Sequence, residues 1–260
     1  MPQGGLARRA SAVQQLRAQA QGEVLLLDSG NSLYTVARPS ATTDPSGGAL
    51  PVEAMNAMHY DAMALGEMDL AASAEVVRAR FGEAAFPILS ANVGPAGALP
   101  NVQPYILRSL DGHRVAIIGV TGAIPAARLK TLGISLTVED ALEAVRRTVE
   151  EVRPQADVII LLSNLPRTEN VKLAQQVAGL DVVIGAYGGE TVKPQTVEGP
   201  EGSVILCAAG PQGKSLGWLS VQLDAQGRVV TFTGQFYSLT PQYANDAEMV
   251  RIMDKYGVKP

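Results

Sequence analysis

Polar residues gather where apolar runs stop: Asp28-Ser29-Gly30-Asn31, Leu65-Gly66-Glu67-Met68-Asp69, Ser90-Ala91-Asn92, Ser163-Asn164 and Gly185-Ala186-Tyr187-Gly188-Gly189-Glu190. Carboxylates and amide carbonyls are hard oxygen donors. Asp28, Glu67 and Asp69 are therefore a candidate site for a polar ligand or for weak Mg2+ or Ca2+ binding. The same residue types also serve as strand-end turns closed by Asx hydrogen bonds. None of these segments carries a histidine, and the chain has only His59 and His113. An imidazole-rich site of the kind that favours Zn, Mn or Fe cannot be assembled from two. His59 is expected to be a packing or surface residue. His113, following Asp111-Gly112, is expected in a solvated turn.

Two further motifs are set aside on chemical grounds. Cys207 is the single cysteine, which excludes an internal disulfide and any Cys-rich metal site. It lies in an apolar run without a basic neighbour, so an inert thiol is expected. Ala208-x-x-x-x-Gly213-Lys214-Ser215 satisfies a permissive P-loop pattern. A phosphate-cradling loop must open a helix, however, and Leu216–Leu223 reads as a strand.

The elements that would position these groups are apolar runs of strand length. They are Val24–Gly30, Val115–Gly122, Val158–Asn164, Val182–Gly185 and Val204–Gly210. Continuous β-branched and aliphatic runs of this kind read as strands buried on both faces. Helical patterns lie between them. Val138, Ala141, Leu142, Val145, Val149 and Val152 form one stripe, with Thr137 and Asp140 at capping-box spacing. A second helix carries Val171, Leu173, Ala174 and Val177, with Thr168 as its cap and Gly179 as its stop. Beyond residue 200 the alternation gives way to a hairpin, Leu216–Leu223 and Val229–Tyr237 around Gln226-Gly227. Thr35–Pro51 and Gly94–Pro104 read as loops. The fold class is α/β.

Composition narrows the function. A net charge of −4 with no basic run excludes a dedicated nucleic-acid binder. No apolar stretch approaches the roughly 18 residues of a membrane span, and the first residues carry no signal-peptide pattern. A soluble chain is expected.

The order of motifs resembles the calcineurin-like metallophosphoesterase domain of the bacterial 5′-nucleotidase family. Gly4-Gly5-Leu6-Ala7-Arg8 is similar to the family's helix start, and Leu25–Asn31 to its LLLDAGD strand. Met55–Gly66 resembles its MN-x-hydrophobic-GYDA segment, and Phe86–Val93 its FP-x-LSANV strand. Ser163-Asn164 stands where the family has Ser-His, and Gly179–Gly185 precedes the place of GHTH. The resemblance implies a four-layer α/β/β/α sandwich, with two mixed sheets between helix layers. It also implies one domain over residues 1–260, with a helical tail at about 240–260 and no C-terminal nucleotide-specificity domain.

The resemblance further implies a two-metal site, and there this sequence departs from the pattern. The strand bearing the family's DxH pair is not in the chain. Asn31 takes the place of the bridging Asp, Glu67 that of the Asn ligand, and Met68 that of the histidine assisting the leaving group. Asn164 replaces the Ser-His histidine, while Tyr187 and Gly189 replace both histidines of GHTH. The expectation is therefore no catalytic residue, no metal and no cofactor, weak Mg2+ or Ca2+ excepted. The protein would be catalytically silent and bind a protein partner or a small polar ligand through a neutral-to-acidic cleft. The alternative is an active phosphoester hydrolase with an atypical metal site, or with residues supplied upstream of Met1. A third reading, a sheet lacking one strand, predicts rearranged pairing or an exposed edge. The family is mostly exported, so a periplasmic or surface location is also expected.

Overall fold

The computed structural model describes residues 3–35, 39–40, 42–186 and 189–260. The first half of the chain runs α1 (Leu6–Gln19), β1 (Leu27–Asp28), α2 (Ala49–Ala57), β2 (Ala62–Ala64), α3 (Ala74–Glu83), β3 (Ile88–Leu89), β4 (Val93–Gly94), β5 (Val102–Gln103), β6 (Tyr105–Leu110) and β7 (His113–Val120). The second half runs α4 (Ala126–Leu132), β8 (Thr137–Val138), α5 (Ala141–Val152), β9 (Val158–Ser163), α6 (Arg167–Gln176), β10 (Val182–Gly185), β11 (Thr191–Gly199), β12 (Gly202–Ala209), β13 (Ser215–Leu223), β14 (Val229–Ser238) and α7 (Ala247–Lys255).

Two sheets face each other. The smaller has the order β1-β2-β3-β5 and is parallel throughout. The larger, β11-β12-β10-β9-β7-β6, is mixed: parallel at its centre, antiparallel at both edges. The aliphatic runs explain this arrangement, because β7, β9, β10 and β12 each bury side chains on both faces. Ile117 and Leu162 point into the core between the sheets, whereas Ile118, Leu161 and Val183 point out toward α5 and α6. On the far side of the smaller sheet, α1, α2, α3 and α7 enclose a third core around Val13, Met55, Phe81 and Met249. Helix, sheet, sheet, helix is the layer order expected of the fold class.

Several local expectations change. α5 starts after Asp140, whose side chain accepts from the Glu143 N–H at 3.0 Å; Thr137 and Val138 instead pair with Gly94 and Val93. Thr168 lies inside α6, which follows Pro166, and Gly179, at φ +83°, lies past the end of that helix. The strand expected over 24–30 forms a ladder only at Leu27–Asp28, and the Leu26 N–H turns to the Asp61 carboxylate at 2.7 Å. The hairpin appears as expected, and Ser215 opens its first strand, so the P-loop pattern has no helix to feed.

Candidate functional site

Loops at the carboxyl ends of β1, β2, β9 and β10 meet on one rim, as parallel strands require. Asp28 closes the first as an Asx turn, its Oδ1 accepting from the Gly30 N–H at 2.8 Å and from Ser32 Oγ at 2.6 Å. Ser29 then ties this loop to the larger sheet. Its hydroxyl donates to the Ile184 carbonyl and its own carbonyl accepts from Asn164 Nδ2, both at 3.0 Å.

Asp69 organises the loop after β2. It has no exposed surface, and each carboxylate oxygen accepts two backbone N–H groups. Oδ1 takes Ser32 and Leu33 at 2.8 and 2.9 Å; Oδ2 takes Asn31 and Gly66, both at 2.8 Å. Burial pushes this carboxyl up to about 6, while the Leu33, Gly66 and Asn31 amides act against the rise. Asn31, at φ +61°, is held from both sides: its N–H donates to Asp69 and its Oδ1 accepts from the Met68 N–H at 2.8 Å. Gly66 has to be glycine here, since a Cβ would collide with Asn31.

Glu67 turns toward α4. Its Oε2 meets Arg128 Nε at 3.1 Å, with the two side chains 29% and 12% exposed, and Arg128 Nη2 lies 3.6 Å from Met68 Sδ. Arg128 is the residue that sequence reasoning missed. It belongs to no motif, and only folding α4 back over the rim brings it to Glu67. Its cation offsets the Glu67 charge.

The rim thus joins Asp28, Asn31, Glu67, Met68, Asp69 and Asn164. Gly189 lies just beyond β10, at φ +108° and with its N–H 3.4 Å from the Ala186 carbonyl. Tyr187 lies outside the described residues. Asp28, Glu67 and Asp69 do not converge on a point: one closes a turn, one pairs with Arg128 and one is filled by amides. Among the described residues no group of three His, Cys, Asp or Glu side chains is placed to hold a metal ion. His59 is exposed in a left-handed turn after α2, and His113 begins β7. Cys207 is buried in β12, where burial pushes its thiol up to about 12. A cavity of about 340 Å³ lies elsewhere, between α2, α3 and α7.

The architecture matches solved structures over 98% of the chain. A 5′-nucleotidase precursor from Thermus thermophilus superposes with a TM-score of 0.80 at 26% identity, the chain covering 53% of it. The calcineurin-like phosphoesterase YfkN from Bacillus subtilis, at 20% identity and TM-score 0.79, is covered over 89% of its chain and shares the fold. By sequence, human 5′-nucleotidase is 30% identical over 98% of this chain and 47% of its own length. The chain is a relative of the 5′-nucleotidases. It spans about half the length of the curated relatives it matches. No family model matches it.

This kinship corrects the expectation of no cofactor. The 5′-nucleotidase relatives are metallophosphoesterases that use divalent metals, so the group to be tested against the 5′-nucleotidase-like rim is a pair of metal ions. The donors on the described rim do not fit it. Bridging two ions needs a free carboxylate and further anionic or imidazole donors around it. The rim offers the amides Asn31 and Asn164, and carboxylates already engaged by Arg128 and by backbone N–H groups.

Proposed function

We propose that this 5′-nucleotidase-like chain does not itself turn over phosphoesters and that its rim is a binding surface for a protein partner or a small, neutral polar ligand. The observation that carries this reading is the engagement of Asp69. A carboxylate accepting four backbone N–H groups has no lone pair left for substrate chemistry. The neighbouring side chains point the same way: Asn31 and Asn164 fasten loops, and Met68 has no proton to give a leaving group. Glu67 and Arg128, both mostly buried, form a compensated pair at the rim, suited to a neutral or zwitterionic partner better than to a phosphate dianion. An exported location rests on the resemblance alone.

Hydrolysis is the second reading, favoured by the activity that the relatives' names carry. One assay separates the two. The purified chain is incubated with AMP and p-nitrophenyl phosphate, with Mn2+, Zn2+ and Mg2+ added in turn. Product release equal to the protein-free control is the expected result. Metal-dependent turnover that Glu67→Ala abolishes would replace the binding reading with the hydrolytic one.

A further inference from the structure

The cavity of about 340 Å³ between α2, α3 and α7 lies on the outer side of the smaller sheet, and no residue of the rim lines it. Its volume is at the lower end of the range for small-molecule sites, about 300–1,000 Å³. Val52, 2% exposed, supplies an apolar wall, and charged groups supply much of the rest. Glu53 comes from α2, Arg80 and Glu83 from α3, and Lys255 from the end of α7. The lining therefore holds two cations and two carboxylates.

Arg80 is the least satisfied of these groups. Its side chain is only 18% exposed, and its bond to Glu83 runs from Nη2 to Oε1 at 2.5 Å. Nε is buried and has no hydrogen-bond partner among the described residues, and Nη1 has none there either. A guanidinium taken largely out of water calls for acceptors at those N–H groups. On the α2–α7 side, Glu53 Oε2 accepts from Lys255 Nζ at 2.8 Å and from the Tyr256 hydroxyl at 2.6 Å. These bonds, that from Lys255 foremost, hold the Glu53 carboxyl below the ordinary carboxylate value. Glu53 Oε1 and Glu83 Oε2 accept nothing from the described residues. Asn56 fixes the walls against each other: its Nδ2 donates to the Glu83 carbonyl at 2.9 Å and its Oδ1 accepts from the Ala85 N–H at 2.8 Å.

We propose that this cavity binds a free aliphatic α-amino acid, its carboxylate on Arg80 and its ammonium on Glu83 and Glu53. The charges of the lining select the ligand. A phosphate or a simple carboxylic acid meets repulsion from Glu53 and Glu83, and a simple amine meets it from Arg80 and Lys255. A zwitterion satisfies both sets. Arg80 Nη2 and Glu83 Oε1 lie 2.5 Å apart, so a ligand that engages both must carry its opposite charges on neighbouring groups. In an α-amino acid a single carbon separates them. The planar guanidinium matches a carboxylate through parallel N–H bonds, and the unused carboxylate oxygens need an ammonium that still carries N–H groups. The Val52 wall and the modest volume suit a short aliphatic side chain. The inference goes beyond the reading of the rim and does not depend on it.

Isothermal titration calorimetry of the full chain with L-alanine, L-valine and L-leucine, each alone, tests this. At least one should bind saturably, one molecule per chain. Its carboxamide, its deaminated acid and inorganic phosphate should each bind at least about tenfold more weakly. Arg80→Gln should weaken binding of the amino acid at least about tenfold, and so should Glu83→Gln, whose side chain is 48% exposed and whose loss the fold tolerates more readily. Glu67→Gln, on the rim, should leave the affinity unchanged. Thermal midpoints of the three variants check that each is folded. No saturable heat with any of the three amino acids up to about 10 mM overturns the proposal. So does binding that survives Glu83→Gln. Equal affinity for the deaminated acid or for phosphate would overturn it as well and assign the cavity to anions, and loss of binding in Glu67→Gln would move the site to the rim.

Discussion

Asp69 shows how a residue that looks catalytic in sequence becomes structural when folded. A carboxylate three residues after Gly66, beside Glu67, has the spacing of a ligand motif. In the fold it caps four amides from two loops and reaches no solvent. Asp69→Ala is therefore expected to lower stability by about 3 kcal/mol or more, because hydrogen bonds to a charged group contribute about 1.5–3 kcal/mol each and the orphaned amides stay buried. Urea unfolding measures this. Glu67 should behave differently. Its pair with Arg128 is partly exposed, so Glu67→Gln is expected to change stability by less than about 1 kcal/mol in the same experiment. Equal losses in the two variants would contradict this division of roles.

At the scale of elements, the pairing of β7 with β9 is fixed where the two strands begin. Asp157, just before β9, receives the Arg114 N–H at 2.8 Å and Arg114 Nη2 at 2.7 Å. These bonds hold the Asp157 carboxyl down to about 2, the Arg114 side chain being the largest cause. A carboxyl depressed in the folded state stabilises the fold above its unfolded value, near 4. That contribution is lost as pH falls from about 4 toward 2. Thermal midpoints at pH 5, 3 and 2 should thus fall more steeply for the parent chain than for Asp157→Asn, and parallel curves would show that the pair does nothing for the register. Elements of this kind were legible in sequence where a run was long. β7, β9, β10, β12 and the hairpin follow from their aliphatic patterns. Less legible were the short pieces: Thr137 had the spacing of a cap, but β4 was available as a pairing partner and Asp140 capped the helix instead.

Across the whole fold, a small buried polar cluster ties the two sheets together at the ends of their strands. Asn92, after β3, donates through Nδ2 to the Thr121 carbonyl and accepts at Oδ1 from the Thr121 N–H, both at 2.9 Å, joining the ends of strands in different sheets. Ser90 Oγ adds a link to Thr121 Oγ1 at 2.7 Å. Asn92→Ala leaves a buried N–H and a buried carbonyl without partners. Stability should fall by about 2 kcal/mol or more, with early loss of protection at the ends of both sheets in native-state hydrogen exchange. Loss of protection in one sheet alone would mean that the cluster does not couple them.

The α/β class, the buried central strands and the polar strand ends could be read from the order of residues alone. Each is a local matter of side-chain period and of where an apolar run stops. The order of residues likewise shows that none of these polar strand ends carries a histidine. What the polar residues do was settled by folding. Whether a carboxylate binds an ion, an arginine or four amides depends on which loops meet it, and those loops come from residues up to 155 positions apart, as Ser29 and Ile184 show.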